Sequence, residues 1–304
     1  MSGDRGSPSP PPEAGRGVRV VGVERRRGTT TRSDHDAVAV EEPMEVRVNG
    51  SPFAVIMRTP GEDLALAAGF LLAEDVVRDG AEIAAIEYCL DVEPEASGNV
   101  LNVTVAGEAV DRLAIRLGDR RQVITTAACG LCGRRTIESL RTRAVSVAGR
   151  WTVSPAIIGQ LPVALRAAQR TFDATGGVHA AALTDLEGQV LRAAEDVGRH
   201  NAVDKIIGHA LLEGRLPLDR TMLVVSGRTS YELVQKALLG GVPLVAAVSA
   251  PSSLAVEFAR DSGQTLVGFL RASRMNVYCH PHRIRFPSTP TTARRKIGEV
   301  ADPR

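Results

Sequence analysis

From residue 179 to residue 270 the chain alternates short β-branched runs with longer amphipathic stretches, and no other feature constrains its fold as tightly. Residues 179–184 and 189–194 read as a hairpin across Leu186-Glu187-Gly188. Helical periodicity then covers 200–213, followed by strand 221–225, helix 230–239, strand 243–249, helix 252–261 and strand 265–270. Strands joined through helices pair in parallel and bury both faces. The spacing predicts an α/β class with a layered sheet, largely parallel in this half.

Signals in the first half are shorter. Residues 1–17 are rich in Pro, Ser, Gly and Arg and cannot bury enough apolar area to offset the entropy of ordering, so a disordered tail is expected. Residues 287–304 read the same way. A small α+β segment is expected over 18–125, with ordered chain beginning at 18–24. Strands 44–48 and 53–57 flank Asn49-Gly50, a hairpin turn signal. Pro60-Gly61-Glu62-Asp63 opens a helix to about Glu74 with Leu64, Ala67, Ala68 and Leu71 on one face. Strands 82–90 and 99–105 follow, with Cys89 expected in the core. After a loop and helix over 126–150, the ligand-binding core is expected over 151–286. Within it, 155–172 is helical, Pro162 is expected to open the longer helix, and Thr175-Gly176-Gly177 stops it.

Aromatic residues are only 3% of the 304, so Val, Ala and Leu must fill the interior. The net charge of +2 gives no global case for nucleic acid, and the basic cluster at Arg25, Arg26, Arg27 and Arg32 reads as a solvated face. Four cysteines, two of them in one C-x-x-C, fit a reducing compartment better than a disulfide framework. No apolar run approaches the roughly 20 residues needed to span a bilayer. Arg25-Arg26-Arg27 leads into Gly-Thr-Thr-Thr and not into the apolar core of a signal peptide, so a soluble cytoplasmic protein is expected.

The C-x-x-C is Cys129-Gly130-Leu131-Cys132-Gly133, followed by Arg134 and Arg135. Glycine after each cysteine permits a tight turn and leaves the sulfurs uncovered. Residues 134–143 have a helical pattern, so helix N–H groups and the two arginines would favour thiolate over thiol. A sulfur-handling or redox site is one reading. The other is half of a structural zinc site, completed by Cys279-His280-Pro281-His282. A thioredoxin-like disulfide role fits less well, because that motif usually has aromatic or proline neighbours.

Two strand-to-helix turns share a device. One runs Glu195-Asp196-Val197-Gly198-Arg199-His200-Asn201-Ala202-Val203-Asp204-Lys205, the other Ser226-Gly227-Arg228-Thr229-Ser230-Tyr231-Glu232. Thr229 and Glu232 have capping-box spacing. Open α/β sheets bind ligands at the carboxyl ends of their strands, and helix N-termini attract phosphate. Together the turns predict a cradle for an anionic, nucleotide-like ligand using Arg199, His200, Asn201, Lys205, Gly227 and Arg228, with Asp196 and Asp204 accepting hydrogen bonds from a base or ribose. The plainer alternative pairs Arg199 with Asp196 or Asp204 as a structural ion pair and leaves Arg228 solvated. His209 reads as a satisfied, partly buried histidine.

The segments Thr126-Ala-Ala-Cys-Gly-Leu-Cys-Gly133, Thr175-Gly-Gly-Val-His-Ala180, Glu195 to Lys205 and Ser226 to Glu232 occur in the order that resembles the formate dehydrogenase accessory sulfurtransferase family, over residues 38–286. The resemblance implies a cytidine-deaminase-like layered α/β/α core and a homodimer. It implies a carrier that takes persulfide sulfur from a cysteine desulfurase and passes it to a molybdenum or tungsten bis(molybdopterin guanine dinucleotide) cofactor, before that cofactor enters formate dehydrogenase. It makes Cys129 the persulfide carrier and Cys132 its relay, with no resident catalytic metal. It places cofactor binding on Phe269, Leu270, Arg271, Ala272, Ser273 and Arg274. The rival classes are a zinc-dependent deaminase-like enzyme and a chaperone that only binds the cofactor. Deamination needs His-x-Glu followed by Pro-Cys-x-x-Cys. Here His179-Ala180-Ala181 lacks the glutamate, Ala128 stands for the proline and the cysteines precede the histidine.

Overall fold

The computed structural model describes residues 17–120, 147 and 149–286. Cys129, Cys132 and the helix expected over 134–143 lie outside the described residues. The chain opens with an antiparallel ribbon, β1 (Val18–Arg27) and β2 (Thr30–Ala39), whose far end carries the exposed Arg25, Arg26, Arg27 and Arg32. Next come β3 (Glu42–Val48) and β4 (Ser51–Arg58), joined by Asn49 and Gly50 with φ of 48° and 78°. Two successive positive φ angles are what the Asn-Gly pair supplies in a tight hairpin. With β5 (Ile83–Tyr88) and β6 (Val100–Val105) they form a four-stranded sheet of order β4-β3-β6-β5.

Helix α1 (Asp63–Ala73) was expected to show one apolar face, but it is buried almost all round, while Leu64 points outward at 40% exposure. Its second neighbour is α5 (Arg199–Leu212), against which it packs backbone to backbone. A Cβ at Gly69 would strike the carbonyl of Asp204, and one at Gly208 would strike that of Ala65. Small residues here let the two halves share a single hydrophobic cluster that runs from Met44, Leu66 and Leu101 to Ile206, Val234 and Leu238. Helix α2 (Glu108–Arg120) adds Ala109 and Leu113 to that cluster.

The second sheet has the order β12-β11-β10-β9-β7-β8, built from β7 (His179–Thr184), β8 (Val190–Asp196), β9 (Met222–Val225), β10 (Leu244–Ala247), β11 (Thr265–Arg271) and β12 (Arg274–Cys279). It is less parallel than expected. Only β9, β10 and β11 run parallel, because the links from β7 to β8 and from β11 to β12 are too short for a crossover and make antiparallel hairpins.

Alternation along β7 shows the layering. Ala180 and Ala182 pack with Ile158, Leu161 and Leu165 of α3 (Pro155–Ala167), whereas Ala181 and Leu183 join the cluster of α5 and α6 (Tyr231–Leu239). Helix α3 opens at Pro155 behind the cap Ser154, and Pro162 lies inside it, not at its start. The short α4 (Arg170–Thr175) ends on Gly176 with φ of 65°, and α7 (Ser253–Asp261) precedes β11. Among the described residues no helix is long and apolar enough to cross a membrane.

Candidate functional site

Because β7 runs against both β8 and β9, its first residue, His179, lies at the edge where those two strands finish. His179 pairs with Asp196, and Ala181 with Val225. The two Gly-Arg turns therefore flank one histidine. A Cβ on Gly227 would lie 3.3 Å from His179 Nδ1 and 3.6 Å from Arg199 Cδ, so glycine is what lets the three residues converge. The Arg199 Nε is fully buried and has no hydrogen-bond partner among the described residues. Burial, then the charges of Arg199 and Arg228, push the His179 imidazole below its usual range and keep it neutral. Arg228 is exposed.

On the α3 side of this edge lies a cleft of about 1140 Å³. The carboxyl ends of the strands form its floor, with His179, Val197, Ser226, Val248, Arg271 and Ala272. Pro162, Val163, Arg166, Gln169 and Phe172 of α3 and α4 form its wall. Arg166 stacks on the Phe172 ring, 5.0 Å from its centroid, and pairs with Asp173. This is the position where open α/β sheets receive ligands.

The predicted cradle residues do not all face that cleft. His200, Asn201 and Asp204 line a separate cavity of about 250 Å³ between α5, α6 and β4. Lys205 is 2% exposed and donates to Asp196 at 2.8 Å and to the carbonyls of Thr59 and Glu195 at 3.0 Å. Asp196 also accepts from the Thr59 and Gly198 amides and from Asn201 Nδ2, which leaves it no free lone pair for a base or ribose. Asn201 Nδ2 further donates to the Met57 carbonyl. Asp204 is held by Lys236 Nζ, 2.8 Å from both of its oxygens. Neither aspartate pairs with Arg199 as the plainer alternative had it; each pairs with a lysine instead. Asp196, Asp204 and Lys205 brace the turn from behind. Burial drives the Asp204 carboxyl upward, while Asp204 and Glu232 hold Lys236 charged.

The capping box is also replaced. Ser230, not Thr229, stands at the cap position of α6, where its Oγ bonds no helix amide and instead lies 2.9 Å from His200 Nε2, while the buried Thr229 Oγ1 has no partner among the described residues. Burial, with Arg199, Lys236 and His179 nearby, pushes His200 down to about 3, so its 3.6 Å approach to Glu232 is not an ion pair at neutral pH. His209 is partly buried, and its Nε2 stands 3.6 Å from Glu62 with no hydrogen-bond partner among the described residues.

The segment from Phe269 to Arg274 forms the β11–β12 hairpin. Arg271 ends one strand and Arg274 begins the next, and the two are paired and exposed. Phe269 is exposed with φ of 50°, and Leu270 is buried. Phe269, Arg271, Arg274 and Asn276 line a groove of about 350 Å³ that Arg271 connects to the main cleft. Gly159 of α3 packs against the Ala272 carbonyl and fixes the hairpin beside the cleft. Ser273 lies at the hairpin's turn, exposed. Sequence reasoning missed the wall residues Arg166, Gln169 and Phe172, although a cation, an amide and an aromatic within seven positions were a readable signal.

Elsewhere, the Cys279 thiol is buried, donates to the Gln264 carbonyl, and is raised by burial. Cys89, expected in the core, is only half-buried past the end of β5. His280 bonds the Arg260 carbonyl, and among the described residues no three potential metal ligands come together.

Residues 39–285 match the model of the FdhD/NarQ family. A protein of Streptomyces avermitilis described as sulfur carrier protein FdhD is 50% identical over 273 residues, which is 86% of this chain and 94% of that protein. One of Mycobacterium tuberculosis with the same description is 47% identical over 262 residues, covering 82% and 92%. A crystal structure reported as a formate dehydrogenase accessory protein, from Desulfotalea psychrophila, superposes with a TM-score of 0.68 at 24% identity, over 88% of this chain and 99% of that one. Shared sequence over most of both chains, carried on the same fold, shows that this chain belongs to the FdhD/NarQ family.

Proposed function

We propose that the chain is a sulfur carrier that delivers sulfur to a bis(molybdopterin guanine dinucleotide) cofactor destined for formate dehydrogenase. Its relatives' description as sulfur carriers, at about half of all positions identical, supports the carrier role. The observation that carries the cofactor-facing half is that His179, Ser226 and Arg271 line the floor of the cleft, with Arg199 and Gly227 packed directly behind His179. The Arg271 guanidinium and the neutral His179 imidazole, backed by the Arg199 charge, suit phosphate oxygens, which accept hydrogen bonds and offer none. Arg271 and Arg274 extend this positive edge outward, and the Phe269 ring offers a stacking face.

In this reading the Cys129 thiolate attacks the outer sulfur of a cysteine desulfurase persulfide. The donor's S–S bond breaks, its cysteine leaves as thiolate, and Cys129 carries the new persulfide. Attack by the Cys132 thiolate on the inner sulfur then forms the Cys129–Cys132 disulfide and releases hydrosulfide, the dithiol having supplied two electrons. The hydrosulfide is taken up by the metal of the bound substrate, and a cellular dithiol restores the pair. We also read the three-layered core as deaminase-like and the protein as a homodimer in the cytoplasm; helices on both faces of the second sheet support the former. A Cys129→Ala/Cys132→Ala variant tests the assignment. It is expected to bind guanosine diphosphate like the parent yet fail to activate formate dehydrogenase. Full activation by that variant would reduce the function to binding alone.

A further inference from the structure

Gln169 sits between α3 and α4, 5% exposed, at the position that caps α4. A side chain there normally satisfies the first helix amides. Gln169 does not, because the Glu195 carboxylate accepts from the Thr171 amide at 2.7 Å and the Phe172 amide at 2.9 Å. The Gln169 backbone is used, its N–H meeting the Arg166 carbonyl and its own carbonyl receiving the Asp173 amide. Its carboxamide makes no hydrogen bond to another described residue, and the residue lines the cleft, to which the amide is open. An amide that faces a cleft with no protein partner is left for solvent or for a ligand that pairs with both its donor and its acceptor.

The surroundings narrow the ligand. Phe172, Val163, Val178 and Val248 supply apolar lining, Arg166 lies over the Phe172 ring and pairs with Asp173, and further positive charge comes from Arg271 and from Arg199 behind the neutral His179. Apolar and aromatic lining with one carboxamide among it suits a planar heterocycle. A carboxamide offers one donor and one acceptor side by side. A cyclic lactam, C=O next to N–H, offers the complement. We infer that Gln169 reads the amino-lactam edge of the ligand's heterocycle, donating from Nε2 to the ring carbonyl and accepting at Oε1 from the ring N–H. This rests on the cofactor-binding reading above and adds its specificity residue. Guanine and a pterin both carry that edge, and the test separates them.

Full-length protein is titrated by calorimetry with guanosine diphosphate, with 6-hydroxymethylpterin and with pyrophosphate, as wild type and as Gln169→Leu. Leucine is similar in volume and removes the unpaired amide, so the ligand-free melting temperature is expected to hold or rise. Loss of two neutral hydrogen bonds is expected to weaken the ring-bearing ligand about tenfold and leave pyrophosphate unchanged. Weakening confined to guanosine diphosphate assigns the edge to guanine, and weakening confined to the pterin assigns it to the pterin. Affinities for both rings within about twofold of wild type would overturn the inference while the cleft reading stands. Wild type that binds neither ring nor pyrophosphate would overturn the cleft reading itself, and the inference with it.

Discussion

Replacing Asp196 by alanine perturbs the joint on which the β8–α5 turn depends. The aspartate is fully buried and receives four donors: the Thr59 amide at 3.1 Å, the Gly198 amide at 2.8 Å, Asn201 Nδ2 at 2.8 Å and Lys205 Nζ at 2.8 Å. Removing it leaves Lys205 as a buried cation with only two carbonyls for company. Breaking a buried ion pair from one side costs about 3–5 kcal/mol. For a chain of this size that corresponds to a fall of roughly 10 °C in melting temperature. Denaturant unfolding followed by circular dichroism measures the loss. The double variant Asp196→Ala/Lys205→Met removes the stranded charge as well and is expected to recover about 2 kcal/mol, but not all, since the Thr59 and Gly198 amides stay unpaired. A single variant within about 0.5 kcal/mol of wild type, or a double variant no better than the single, would show that Lys205 is not held as this geometry requires.

Two other outcomes are expected. Gly227→Ala places a methyl group 3.3 Å from His179 Nδ1; unfolding free energy should change by under about 1 kcal/mol, while guanosine diphosphate binding by calorimetry weakens about tenfold or more. Unchanged binding would remove Arg199 and His179 from the seat. The His200 folded pKa of about 3 lies below the ordinary 6.5, so the unfolded chain takes up the proton first. Its contribution is intact above pH 6.5 and is lost as pH falls toward 3, at up to about 1.4 kcal/mol per pH unit. Unfolding titrations of wild type and His200→Gln should differ by that slope within this window; parallel curves would place His200 in water.

The elements that decide the fold were legible because their signals were local. Asn49-Gly50, Gly176 and the β9–α6–β10–α7–β11 alternation each depend on a few adjacent residues. Helix α2 was equally readable from Ala109, Leu113 and Leu117 at four-residue intervals and was overlooked. The orientation of the charged groups was not local. Glycine and arginine announced the two turns, but whether Lys205 or Arg199 would meet Asp196 depended on Thr59, 137 positions earlier, and on how closely α1 approaches α5. Pro162 misled for a related reason. Proline favours a first turn, yet α3 already had Ser154 and Pro155 to begin on, and the buried Ile158, Gly159, Leu161 and Leu165 kept the helix continuous through it. The Gln169 carboxamide became notable only when Glu195 was seen to do its capping.

Sulfur on the carrier cysteine is the most direct test of the central proposal. The purified protein is incubated with a cysteine desulfurase and cysteine, and the tryptic peptide spanning residues 122–134 is weighed by mass spectrometry. One added sulfur atom, retained when Cys132 is replaced and lost when Cys129 is replaced, is the predicted result. A peptide that never gains sulfur on either cysteine would contradict it.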